Sequence, residues 1–377
     1  MPNDPNLHKA ASNNEIDVVR ELLDVDRSGV NEKDEDGFTP LFYAVRGNYV
    51  DLVDLLIIKY NASATESDDD GYKLIHVATA ANSAEALSLL ITTYGADPAV
   101  KSNDGTTPLH LAALNDSVEM IRLLVDEYGA DVNTTDIDER APIHIAASED
   151  SVNALRVLIE SYRSDAYAPD IRDWTPIHIA ARNDAVTVVK FLIEEHGVDP
   201  QFDAEEGLTP LHSTAFADAV KTAKLLLEEH EVDVDARDEQ DSTSLHFAAY
   251  SNSIKFAELV LGEHNANAMA RDKSWWTPLH YAASNDALSV TRLLIDKYDA
   301  DVHAITMNGT TPLHLAAQDN SVPIIRLLID DYGADVHVEN DNGETPLGLA
   351  IKADATEAMH VLFDEYFALQ DDRRANE

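Results

Sequence analysis

The sequence predicts an all-α solenoid, a linear stack of short helical repeats, and three observations carry that prediction. The phrase Thr311-Pro312-Leu313-His314-Leu315-Ala316-Ala317 recurs letter for letter from Thr107 to Ala113 and more loosely elsewhere. From Thr39 to Thr345 every step between copies is 34 residues, without an insertion or deletion. With the worn copy Pro5-Asn6-Leu7-His8-Lys9-Ala10-Ala11, eleven copies account for 374 of 377 residues. A strict period of this size marks a stacked repeat array. The third observation is a pair of apolar columns. One reads Leu or Ile at the Leu41 slot in all eleven copies, and the other runs from Leu22 through Leu56 and Leu90 to Leu362.

The residues of one copy specify its elements. Thr39 suits an N-cap and Pro40 the first helical turn. Leu41 and Ala44 then share one helical face. The Ala44 column is Ala in ten copies, Thr214 being the exception, so neighbouring first helices can approach closely. Val118, Ile121, Leu124 and Val125 give the second helix its apolar stripe. A single copy cannot bury both stripes, so the core must run along the stack.

On this phrase the chain resembles the ankyrin repeat family. Asp104-Gly105 precedes the phrase, and Gly129-Ala130-Asp131-Val132-Asn133 closes a repeat, as does Gly333-Ala334-Asp335-Val336-His337. The resemblance covers essentially the whole chain. It implies a β-hairpin-like turn, two antiparallel helices and a return loop per repeat, stacked into a curved solenoid. It also implies protein–protein recognition rather than catalysis.

Two columns depart from the family. Between the helices, where the family usually has Gly, stand Asn14, Asn48, Asn82, Asp116, Asp150, Asp184, Asp218, Asn252, Asp286, Asn320 and Asp354. Asn and Asp best tolerate the left-handed conformation after Gly and can cap the second helix. That column reads as structural. The second helix ends on Tyr60, Tyr94, Tyr128, Tyr162, His196, His230, His264, Tyr298, Tyr332 and Tyr366, and one added residue near this end would explain a period of 34 against the family's usual 33.

In chain order, residues 1–34 form an N-terminal capping repeat, 35–340 nine internal repeats, and 341–377 a C-terminal capping repeat with a polar tail from Gln370. The two caps suggest a complete array. Lys9 sits where inner repeats are apolar, as a terminal repeat requires. Repeat three, with Lys73-Leu74 for Thr-Pro, and repeat five, with Ala141 for Thr and Arg163-Ser164-Asp165 in its return loop, are expected to be soft. Ser213-Thr214 is expected to break the first helix of repeat seven.

Net charge is −43, from 70 acidic and 27 basic residues. This argues against nucleic acid, which needs a basic stripe, and against anionic membranes. The acids are spread over every repeat as a soluble, self-repelling surface, which also leaves room for partners with a basic surface. No cysteine is present, so disulfides and thiol chemistry are excluded. The start shows no apolar signal-peptide core, and no apolar run approaches the ~20 residues of a membrane span. A cytoplasmic or nuclear monomer is expected.

No phosphate loop, zinc-protease motif or nucleophile motif appears. The His row of the phrase (His8, His76, His110, His144, His178, His212, His246, His280, His314) lacks partners at ligand spacing, and the family uses this His to tie helix to turn. No catalytic, cofactor or metal site is expected. His196, His230 and His264 are a candidate pH-sensitive strip.

The stronger signal is aromatic. Trp174, Trp275 and Trp276 fall in turns, Phe38 and Tyr72 precede the Thr slot, and Phe216 and Tyr250 share a first-helix column. In the family, turn tips and first helices line the concave face that grips partners. Exposed aromatics are the usual hot spots. The expected interface is that face in repeats six to nine, with Arg182 and Lys273 as scarce positive charges beside it. Trp275 replaces a Gly expected at positive φ, which points to bracing or a remodelled turn. The family also carries hydroxylation at the close of some repeats, a slot held here by Asn133, His303 and His337.

The function expected is a protein-binding scaffold or adaptor. The alternatives are the repeat portion of a larger enzyme or channel, and an acidic decoy for nucleic-acid-binding proteins.

Overall fold

The structure, a computed structural model, describes residues 6–375, with side chains through residue 365. Pro5 of the worn copy, Asn376 and Glu377 lie outside this range, as do the side chains of Tyr366, Phe367 and Leu369. The described chain divides into two compact units, Met1–Pro176 and Ile177–Glu377.

Each unit is a stack of helix pairs. First helices are short, as in Pro108–Leu114 and Pro312–Gln318. Thr39 opens its helix as predicted, its hydroxyl accepting from the Phe42 amide at 3.3 Å. In most repeats the His of the phrase does the same work. His110 Nδ1 accepts the Thr107 N–H at 3.1 Å. Where Thr is missing the ring still serves, since His76 accepts from the Lys73 amide and His144 from the Ala141 amide, each at 3.0 Å. Repeats three and five therefore keep the backbone half of the cap. In repeat seven the first helix is not broken. It runs unbroken over Pro210–Phe216, with buried Thr214 donating its hydroxyl to the Leu211 carbonyl at 2.7 Å.

The predicted core is present. Leu41, Ile75, Leu109 and Ile143 in the first unit, and Ile177, Leu211, Leu245, Leu279 and Leu313 in the second, are buried. The second column is buried from Leu56 to Leu362, but in repeat one its member is Leu23, not Leu22, which is only partly buried. The last helix also corrects the sequence reading. It spans Thr356–Ala375 and so runs through the stretch expected to be a polar tail.

Four second helices show a place for the added residue. In repeats two, four, seven and ten they end in a π-helical turn: Leu55–Lys59, Leu123–Glu127, Leu225–Glu229 and Leu327–Asp331. A π turn accommodates one extra residue without a loop. Each such helix then closes on a left-handed residue: Asn61, Gly129, Glu231 and Gly333 have φ of 58°, 69°, 50° and 67°. The next amide reaches back to close the end, as from Ala130 to the Leu124 carbonyl at 2.9 Å.

The Asn/Asp column is left-handed in all eleven copies, with φ between 52° (Asp286) and 59° (Asn320). Its caps serve a different helix from the one expected. Asn48 Oδ1 accepts from the Ala86 amide, Asp116 from Ala154, Asp218 from Phe256 and Asn320 from Ala358, at 2.9, 2.6, 2.7 and 2.9 Å. The side chain of one repeat therefore caps the second helix of the following repeat. Replacing Asn320 with Ala removes the cap and strains the backbone, and costs about 2 kcal/mol. Replacing it with Gly removes only the cap and costs about 1 kcal/mol. Urea melts of the two variants check both terms: an Asn320→Gly variant as stable as the parent would show that the side chain is idle.

Among the described residues there is no strand. The hairpin-like turns hold on their own bonds and on one rung between neighbours. The Ile137 amide donates to Asp104 O, Lys273 to Gln240 O and Met307 to Ser274 O, at 3.0, 2.8 and 3.0 Å.

Candidate recognition surface

The phrase His residues are structural pins. Because Nδ1 accepts a backbone N–H, the ring proton sits on Nε2. From there His110 donates to Arg140 O at 2.8 Å, His246 to Trp276 O at 3.2 Å and His314 to Glu344 O at 2.9 Å. Each acceptor lies in the next repeat's turn. Both nitrogens are spent, so this row offers no lone pair to a metal. Burial lowers His76, His110, His144 and His314, and holds His212, His246 and His280 down at about 4.

The Tyr column reaches the other way. Tyr94 donates to Asp54 at 2.6 Å and Tyr332 to Asp296 at 2.6 Å, each on the preceding repeat's second helix. His230 and His264 stand in place of Tyr and have a buried Nε2 without a hydrogen-bond partner. One grouping was not anticipated. Ligand atoms of Glu228, Glu263 and His264 lie within 4.8 Å of one another. Both carboxylates are exposed, and the Lys224 ammonium lies 3.6 Å from Glu263.

A second unanticipated column is an acid at the base of the turn. Asp68, Asp136, Asp170, Asp238 and Asp272 each accept two turn amides on Oδ1, as Asp272 does from Ser274 and Trp276 at 2.8 Å. The other oxygen of Asp136 binds Arg140 in the turn, at 2.9 Å, whereas where the first helix carries Tyr the acid takes its hydroxyl. Asp34 takes the Tyr43 hydroxyl at 2.7 Å and Asp272 the Tyr281 hydroxyl at 3.0 Å. Burial beside Asp272 and Glu206 raises Asp238. Each accepts the amide two residues on, so an Asp at the start of the turn was the signal of an Asx turn that could have found them.

The aromatic candidates separate by place. In the first unit Phe38 stacks on Phe42 at 3.9 Å, while Tyr72 meets His76 edge-on at 5.3 Å. Phe42, Tyr72, Val77 and Leu111 share a groove of about 430 Å³ with Arg46 and Asp68 at its edge. Trp174 also belongs to this unit and is half-buried, its amide bound to Asp170 at 2.8 Å.

In the second unit Phe216 meets Phe247 at 4.7 Å, with the Arg182 guanidinium 5.7 Å from the Phe216 ring. Trp276 meets Tyr281 at 5.4 Å. Tyr250 is 51% exposed. Phe247 and Tyr281 were missed in the sequence because their slot is mixed, reading Lys9, Tyr43, Val77, Leu111 and Ser213 among others. Trp275 is left-handed at φ 64° within an unchanged turn, and it is 46% exposed, so it neither remodels the turn nor braces the stack. Lys273 is exposed at the same tip. Asn133, His303 and His337 occupy one conformation, each amide donating at 2.9 Å to the Asp two residues before.

A family model of ankyrin repeats matches residues 3–68, 58–136, 128–204, 196–272, 235–306 and 279–372, so helix pairs, turns and sequence agree along the chain. The chain belongs to the ankyrin repeat family. Repeats of this kind are protein-interaction modules. No curated protein matches the sequence. Among the described residues no helix is long and apolar enough to cross a membrane.

Proposed function

We propose that this chain is a non-catalytic recognition scaffold whose second unit binds a partner protein through the first-helix face of repeats seven to nine. The observation that carries this is the run of rings on that face: Phe216, Phe247, Tyr250, Trp276 and Tyr281 come from three successive repeats, and none is fully buried. Rings that only braced the stack would be covered by it, whereas Tyr250 leaves half its surface to solvent. Half-exposed rings on a rigid frame bury area at little entropic cost. Arg182 above Phe216 adds a directional contact of the kind found at hot spots.

The test is affinity capture with the intact chain and with the variant Phe216→Ala, Tyr250→Ala, Trp276→Ala, at low and high salt. A partner held by the rings survives high salt, and the variant weakens it at least about a hundredfold, at roughly 1–2 kcal/mol per ring. Circular dichroism confirms that the variant is folded. Partners that ignore the variant and dissociate with salt would overturn the reading and favour the acidic surface as a decoy for basic proteins.

A further inference from the structure

Arg271 and Lys273 stand out against a chain of net charge −43. Both are exposed at the turn tip of repeat nine, and among the described residues neither forms an ion pair. Other cations of the chain are neutralised, as in Lys59 with Asp24, Arg140 with Asp136 and Lys190 with Glu229. The one acid of the tip, Asp272, is buried and fully engaged by Ser274, Trp276 and Tyr281. The tip of repeat ten, Ile305-Thr306-Met307-Asn308-Gly309, has no ionisable residue at all. Only toward repeat eight do acids return, at Glu239 and Asp241.

The same spot is apolar. Trp275, Ile305 and Met307 are 46%, 45% and 63% exposed. They are brought together by the rung from the Met307 amide to Ser274 O at 3.0 Å, while the Arg271 guanidinium lies 5.3 Å from the Trp275 ring. Trp275 also occupies a left-handed position that six other tips give to Gly, from Gly37 to Gly343. A bulky residue there is strained, and strain that persists points to use. The first unit offers a contrast: Ile137 and Ile171 are exposed at their tips too, but each sits among charges of both signs, Asp138, Glu139 and Arg140 at one and Arg172 and Asp173 at the other.

We propose that the tips of repeats nine and ten are a docking surface for a protein segment that carries a carboxylate beside an apolar side chain. The apolar group covers Trp275 and Met307, and the carboxylate pairs with Arg271 and Lys273. This rests on the reading of the chain as a recognition scaffold, and it assigns the partner's chemistry at a place beside the aromatic strip. Charge complementarity makes the choice, because a basic segment would be repelled at this tip and attracted almost everywhere else.

The test uses a random peptide display library selected on the intact chain, then on Trp275→Gly and on Arg271→Glu with Lys273→Glu. Gly fits φ 64° without strain, so Trp275→Gly stays folded. The expected result is a set of peptides lost on both variants, with Asp or Glu next to Leu, Ile, Met or an aromatic. Their affinity for the charge-reversed variant, by titration of the synthetic peptide, falls at least tenfold. Tip-dependent peptides that are basic or uncharged, or a selection in which no peptide depends on the tip, would overturn the proposal. Peptides that depend on Phe216 and Tyr250 but not on the tip overturn this inference while leaving the scaffold reading intact. Peptides that depend on neither sink both.

Discussion

Acid should unfold the second unit well before its carboxylates are fully protonated. His212, His246 and His280 are fully buried, and burial, the largest cause, holds them at about 4 against an ordinary value near 6.5. The unfolded chain therefore binds protons that the folded chain refuses between about pH 6.5 and 4. The neutral rings contribute stability that is fully present above pH 6.5 and is lost as pH falls through 4. Each contributes on the order of 3 kcal/mol, and three together rival the whole stability of a domain. His76, His110, His144 and His314 are lowered by burial too and act in the same direction. Two effects oppose the loss: Asp238 and Asp319 are raised, and protonation relieves the repulsion of a chain at −43. The measurement is the urea midpoint by circular dichroism from pH 7.5 to 4. We expect it to fall steeply below pH 6.5. A flat profile would show that the imidazolium is accommodated and that the His pins are dispensable.

Phe256→Ala should be the most damaging single core substitution. Phe256 is the largest fully buried side chain, and its amide is the one that Asp218 caps at 2.7 Å. Truncation leaves a void in the second helix of repeat eight, which packs against the second helices of repeats seven and nine. The cost is about 4 kcal/mol. Because each repeat touches only its neighbours, the loss stays local at first. Hydrogen exchange should quicken in repeats seven to nine while repeat two stays protected. The control Ile351→Ala, at a position 57% exposed, should change little. A loss under about 1 kcal/mol would mean that the helices close over the gap.

Much of this fold is legible because a period gives every role the same address. Leu109 and Leu313 play one part at one slot, and so do Asn14 and Asp354, whose left-handed backbone was predictable from the side chain alone. What spacing could not show is reach between repeats. Nothing in Asn48 or Asp218 says that its acceptor serves a helix 38 residues on. Repeat one carries no phrase in its second helix, so the slide from Leu22 to Leu23 left no mark to read. The recognition surface was only half legible. Trp276 and Tyr250 announce themselves by type, but Phe247 and Tyr281 sit in a column that mixes Lys9, Tyr43 and Ser213 with aliphatic residues and so points to no single role. The choice between bracing and exposure for Trp275 depended on solvent access, which no column of letters contains.

The Asn/Asp caps and the His pins give the stack a direction of dependence. A repeat lends its acceptor to the helix that follows and its ring proton to the turn that follows, and neither loan is returned. Taking a repeat away on the C-terminal side of a junction leaves an idle acceptor, which water satisfies. Taking one away on the N-terminal side leaves a helix that stays behind without the group that started it. Shortening the array is therefore cheaper from one side than from the other. Variation among such arrays should be tolerated more readily where the last lender has no borrower.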